Sequence, residues 1–170
     1  SLASGVEIST HLEPIIGESL KIKWPNDLFL SEKKTGGILV ETTSNKKGTS
    51  IVIGVGLNVL MSDKVENSID QDWTSLSIHF GKDFDRNKIA GHILEALFHL
   101  KNNFETNGFS HYKDRFEELN ILKNKECLAT FDDVSLMGLA EGITENGELI
   151  FNENGKIHQL RYGDVSIKKI

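Results

Sequence analysis

Apolar and polar positions follow different rhythms along this chain, and each rhythm predicts a different element. In "SLASGVEISTHLEP", Leu2, Val6 and Leu12 fall roughly on one helical face, so a helix is predicted from the first residues. Pro14 and Gly17 are expected to stop it. Strand-like runs follow: "LKIKW" alternates apolar and basic, "DLFL" is short and apolar, and "GILVETT" is apolar and β-branched. "TSIVIGVGLNVL" is almost continuously apolar, which predicts a strand covered on both faces inside a sheet. Asn45 to Gly48, "NKKG", is the hairpin turn between the last two runs.

The stretch from Ser62 to Asp72 is polar apart from Val65 and Ile69 and is expected to be a surface loop closed by Trp73. Ile89, Ile93, Leu97 and Phe104 then recur near the helical period. They predict a long helix from Asn87 to Asn107, with Asp85 as its N-cap and Gly108 as its stop. A shorter helix from Ser110 to Leu119 aligns Tyr112, Phe116 and Leu119 on one face. Beyond Asn124 the texture becomes short strands ("ECLATF", "VSLMGLAEGI", "ELIF", "KIHQL", "DVSIKK") separated by "DD", "ENG", "NENG" and "YG". That regular spacing suits a small barrel or sandwich. The predicted organisation is α+β: a mixed, mainly antiparallel sheet with helices over 1–123 and a small SH3-like barrel over 124–170, with the boundary at 121–125.

Composition narrows the classes. The chain has 170 residues with a formal charge of −6, 38% hydrophobic and 26% charged, which describes a globular protein able to bury a good core. The acidic balance and the lack of a basic cluster argue against a nucleic-acid surface. Cys127 is the sole cysteine, so neither a disulfide framework nor a cysteine-rich zinc site is available within one chain, and a reducing cytoplasmic setting is expected. No run approaches the roughly 18 apolar residues of a membrane span, and no signal-peptide pattern opens the chain. The six histidines, His11, His79, His92, His99, His111 and His158, show no recurring pairing with carboxylates and read as surface or boundary residues, so no metal centre is predicted. Neither a G-x-S-x-G elbow nor a Walker A loop occurs.

One stretch carries more than a hairpin requires. In "KIKWPNDLFLSEKKTGGILVE", Pro25 fixes φ while Asn26 and Asp27 can bond nearby amides, which accounts for a turn. The Trp24 before the proline, and the lone Lys34 ahead of Gly36 and Gly37, are surplus to it.

"KWPNDL", then "KKTGGILVE", then "GVGLNV", and finally the "G-x-A-x-G-I" and "G-D-V-S" rhythm of the tail together resemble the biotin protein ligases, over nearly the whole span from Lys21 to Lys168. The resemblance implies a class II synthetase-like catalytic fold followed by an SH3-like barrel. It also implies an enzyme that joins biotin to ATP, with Mg²⁺, to give biotinyl-5′-AMP and passes the biotinyl group to a lysine of a biotin carboxyl carrier protein domain. Bringing a carboxylate against an α-phosphate demands fixed positive charge and aimed donors. Lys34 is the residue that the resemblance places between the two anions, as catalytic and biotin-binding residue. Gly36, Gly37, Ile38 and Leu39 would form one wall of the biotin site and Gly54 and Gly56 the opposing wall, where a flat ligand meets main chain. Asn26 and Asp27 would form the polar floor beneath the phosphates, with Asn26 the more direct contact, and Trp24 and Pro25 would hold that turn rigid. Asn58 would read the adenine edge, Trp73 would stack on the ring, and Val65 and Ile69 would fold over it. Lys23 adds positive potential, and Lys168 stands where the family often has an arginine reaching the ATP phosphates.

The sequence departs from the family by lacking the basic G-R-G-R-x-G-R loop, the upstream ureido-ring residues and a DNA-binding helix-turn-helix. It is therefore expected to begin inside a longer protein. A non-catalytic nucleotide-binding or protein-docking module built on the same fold is the alternative, and a lipoyl ligase is a third reading that "KWPND" with a barrel disfavours. Edge pairing of "GILVETT" with a second copy, giving a homodimer, is expected from its open strand.

Overall fold

The structure, a computed structural model, describes residues 1–46, 48–61, 72–131, 134–163 and 165–170. Helix α1 (Leu2–Ile16) leads into strands β1 (Lys21–Lys23), β2 (Asp27–Leu30), β3 (Lys33–Asn45) and β4 (Gly48–Leu57), which form an antiparallel sheet in that order. Helices α2 (Leu76–Phe80), α3 (Arg86–Asn107) and α4 (Ser110–Leu119) follow. Strands β5 (Lys125–Phe131), β6 (Val134–Ile143), β7 (Leu149–Glu153), β8 (Lys156–Leu160) and β9 (Ser166–Lys169) build a second antiparallel sheet, ordered β8-β7-β6-β5-β9. Among the described residues no helix is long and apolar enough to cross a membrane.

Helix α1 is the hub. Its sheet side meets β1 and β3 closely at Gly5, where an added Cβ would lie 3.0 Å from Ile22 Cδ1 and 3.6 Å from Ile38 Cδ1. Helices α3 and α4 pack on α1 as well, so that Leu2, Val6, Ile8, Leu12 and Ile16 are all buried. Burial nearly all round is why its apolar stripe is less clean than that of a surface helix. Pro14 lies inside α1 rather than ending it; it forfeits one ladder bond near the C-terminus, and the helix stops at Gly17 with φ +88°, whose N–H bonds the Glu13 carbonyl. In α3 the Asp85 carboxylate accepts from the N–H groups of Asn87 and Lys88, as its N-cap position predicts, but the fully buried positions are Ile89, Ala96 and Leu100. Phe104, expected on the inner stripe, is 41% exposed.

The continuous apolar run of β4 does not mark an interior strand. β4 is the sheet edge, and Ile51 and Val52 are 60% and 63% exposed. The helices cover only one face of the β3–β4 ladder: Ile38, Val40, Ile53 and Val55 turn toward the core, and the partners between them face outward.

The two sheets share one apolar cluster that runs from Leu2 to Ile167. Among the described residues, Trp24 Nε1 of the first sheet's turn donates to Gly147 O of the second at 3.0 Å, while α4 and the segment after it bridge the two: Ile143 N donates to Glu117 Oε1 at 2.7 Å, and Ile121 N donates to Ile22 O at 3.0 Å.

Candidate active site

Strand register assembles the site. Asp27 of β2 lies opposite Gly37 of β3, Gly37 lies opposite Gly56 of β4, and Leu39 lies opposite Gly54. Cross-strand partners share a face, so Asp27, Gly37, Gly56, Leu39 and Gly54 line the side of the sheet turned away from α1. A bulge between Leu28 and Phe29 brings Lys34 opposite Phe29, and Lys34 Nζ lies 2.6 Å from Asp27 Oδ1. The ion pair stands over Gly37, where a Cβ would come within 3.4 Å of Asp27 Oδ1 and 3.9 Å of Lys34 Cε.

Three of these glycines separate into two classes. At Gly36 a Cβ would sit 2.3 Å from Gly56 O, so the chain itself requires glycine there. At Gly54 and Gly56 the nearest atoms would be at 3.8 and 3.9 Å, ordinary contact distances. The fold has room for side chains at those two positions, and their absence leaves a bare main-chain floor beside Leu39, which is 53% exposed. Ile38, expected in the same wall, points the other way; its side chain is buried against α1 and it contributes main chain only.

The "WPND" turn is locked by its own polar groups. Asn26 exchanges two bonds with Ile38, its Nδ2 donating to the Ile38 carbonyl at 3.0 Å and its carbonyl accepting from Ile38 N at 2.9 Å. Trp24 is buried, Trp24–Pro25 is cis, and Ser1 Oγ donates to Pro25 O. Asn26 thus fastens the turn to β3 with one of its two side-chain N–H groups, whereas Asp27 supplies the charged contact.

The segment from Asp72 to Thr74 docks on Lys34 through main chain. Lys34 N donates to Asp72 O at 3.0 Å and Thr74 N donates to Lys34 O at 2.9 Å, which sets half-buried Trp73 alongside the lysine. Asn58 closes the same corner: its N–H bonds Thr35 O at 2.7 Å and its Nδ2 donates to Thr74 O at 3.1 Å. One of its two side-chain N–H groups is therefore spent on the protein. Asn58 also lines a shallow cavity of about 280 Å³ with Leu57, Met61 and Arg86. Arg86 was not legible as a site residue, because nothing local marks a cation at a helix start. Val65 and Ile69 lie outside the described residues.

A second cavity, about 560 Å³, opens between the two sheets and is lined by Lys23, Phe29, Asp72, Lys168 and Lys169. Burial pushes the Lys23 ammonium below its usual range; Asp27 draws it back, and Lys34 and Lys168 push it further down. Cations on β1, β3 and β9 thus feel one another, and an anion entering between them would relieve the repulsion. Lys169 is paired with Glu32.

Comparison with known proteins agrees with this geometry. Residues 2–58 match the model of the Biotin/lipoate A/B protein ligase family. The chain is 31% identical over 169 residues to the bifunctional ligase/repressor BirA of Escherichia coli, a match covering 99% of this chain and 52% of that protein. It is similar over 99% of its length, with a TM-score of 0.85 and 26% identity, to 70% of the biotin protein ligase of Aquifex aeolicus solved in complex with biotin and ATP. The chain belongs to the biotin protein ligase family. It is also 29% identical to the biotin–[acetyl-CoA-carboxylase] ligase of Mycobacterium tuberculosis over 97% of this chain and 60% of that protein. The chain spans about half the length of the BirA relatives it matches. In biotin protein ligase terms, the structure brings Lys34, Asp27, Gly37, Gly54, Gly56 and Leu39 to one face. It sets Trp73 and Asn58 beside Lys34 in the backbone and leaves Lys168 in the neighbouring inter-sheet cavity.

Proposed function

We propose that this chain carries the core of an ATP-dependent biotin protein ligase site. The observation that supports the reading best is the Lys34 ammonium, held by Asp27 above a floor of glycines that the fold does not itself require. In the first step a biotin carboxylate oxygen attacks the α-phosphorus of ATP. The bond from that phosphorus to the bridging oxygen breaks, and pyrophosphate leaves. Negative charge concentrates between carboxylate and α-phosphate, where Lys34 stabilises it. Gly37, Gly54 and Gly56 admit the flat ligand against main chain, with Leu39 as an apolar contact. Trp73 offers a face for adenine, the Asn58 oxygen an acceptor for its amino group, and Lys23 and Lys168 offset phosphate charge.

Mg²⁺ would arrive with the triphosphate. The carboxylate of Asp27 and the side-chain oxygen of Asn26 are the hard donors that would suit it, and it would neutralise charge on the departing pyrophosphate. In the second step the ε-amine of a carrier-domain lysine attacks the biotinyl carbonyl carbon and AMP leaves. We further infer that 1–123 and 124–170 act as catalytic and barrel parts, with Trp24 joining them.

Strand β3 supports homodimerisation as a further element of this reading. Beyond Ile38 its edge facing away from β4 has no strand partner among the described residues, and an open edge invites a second copy. Sedimentation with adenylate analogue bound should show a dimer; a monomer at high concentration removes that element. The function itself is tested by biotin-dependent exchange of labelled pyrophosphate into ATP, followed by label transfer to a carrier domain. Exchange supported by lipoate instead of biotin, or nucleotide binding without exchange, contradicts the proposal.

A further inference from the structure

On the helical side of the molecule, across α1 from the cleft, three ligand-type side chains converge. Glu7 and His11 occupy successive turns of α1, and His99 comes from α3. Glu7 Oε1 lies 2.8 Å from His99 Nδ1 and Glu7 Oε2 lies 3.4 Å from His11 Nδ1. One donor atom from each of the three residues falls within 4.8 Å of the others. Glu7 is only 5% exposed, an unusual place for a carboxylate without a cation. The two imidazoles are tilted by 56° with centroids 5.5 Å apart, and His99 opens the cluster to solvent. Tyr112 of α4 presses a buried hydroxyl toward the same carboxylate without closing a well-formed hydrogen bond.

We propose that Glu7, His11 and His99 bind a first-row transition metal ion, Zn²⁺ above all, at a site separate from the adenylation cleft. Two imidazole nitrogens and one carboxylate oxygen suit zinc and not the all-oxygen preference of calcium or magnesium. With bonds of about 2.0–2.1 Å, tetrahedral ligands stand roughly 3.3 Å apart, so only small side-chain rotations separate the present cluster from a bound one. His11 Nδ1 must give up its 3.0 Å contact with the Glu7 carbonyl to turn onto the ion. Water completes the shell through the open side at His99. The ion supplies the positive charge that buried Glu7 lacks, and it ties α1 to α3 behind the sheet that carries the glycine floor.

The test is calorimetric titration of the metal-stripped, tag-free chain with ZnCl₂, alongside His99→Gln and His11→Gln. The expected result is one saturable site and a rise of roughly 5–10 °C in Tm at a hundredfold excess over Kd. Each variant should weaken binding at least tenfold while leaving binding of an adenylate analogue unchanged. Cobalt substitution should give visible ligand-field bands that vanish in His99→Gln. Absence of saturable binding by the wild-type chain, or an unchanged Kd in both variants, would overturn the proposal. The cluster would then be a proton-mediated Glu–His clasp only.

Discussion

Lys34 Nζ and Asp27 Oδ1 are 2.6 Å apart, on adjacent strands and directly above a glycine. Neither side chain is deeply buried, so the pair adds little stability, within about 1 kcal/mol. Its consequence is positional, since it fixes one cation on an otherwise uncharged floor. We predict that Asp27→Asn leaves Tm nearly unchanged and slows biotin-dependent pyrophosphate exchange about tenfold or more. A large loss of Tm would show that the pair is mainly structural.

The glycines should respond in opposite ways. Gly36→Ala drives a methyl into Gly56 O and should cost about 1–3 kcal/mol of stability. At Gly54 and Gly56 an added Cβ meets nothing closer than 3.8 Å, so the melts of Gly54→Ala and Gly56→Ala should stay near wild type while ligand binding falls at least tenfold. Thermal melts paired with adenylate-analogue titration separate the two classes. Equal destabilisation at all three positions would remove the distinction.

Trp24 links the turn to the second sheet through its indole N–H and Gly147 O. Trp24→Phe keeps most of the buried ring but orphans that carbonyl, at a cost of about 1–2 kcal/mol. The expected outcome is a lower urea midpoint with an unchanged m-value. An m-value that drops would mean that the two sheets have begun to unfold separately.

Burial, reinforced by the Glu7 carboxylate, pushes the Tyr112 phenol up from 10.0 to about 12. The folded state therefore holds that proton more tightly than the unfolded chain. Its contribution to stability is complete below pH 10.0 and is lost as pH rises toward about 12. Urea unfolding across that range should show falling stability in the wild type and a shallower fall in Tyr112→Phe. Identical slopes would contradict the assignment.

Much of this was legible in the chain because local physics dictates it. Asp85 and Gly108 bracket α3 within one residue of expectation, and Ser110–Leu119 and Val134–Ile143 form as their periodicity predicts. β4 misled, because a run of apolar residues reads the same whether it is covered by helices or exposed beside a cleft, and only the tertiary layer order decides. Ile38 misled for a related reason: strand alternation turns neighbours to opposite faces, so a contiguous motif cannot all face one ligand. Asn26 and Asn58 each give one side-chain N–H to the protein, to Ile38 and Thr74, partners that only the folded register reveals. Glu7 and His11 stood one helical turn apart in plain view, but His99 joins them from 92 residues away.

The central claim is that the glycine-floored cleft takes the adenylate through Lys34. Calorimetric titration of the chain and of Lys34→Ala with a non-hydrolysable biotinyl-AMP analogue tests it most directly. The account predicts saturable binding by the wild type and at least tenfold weaker binding, about 1.4 kcal/mol, by a variant that melts normally. Equal affinity in the two, or no binding by the folded wild-type chain, would contradict it.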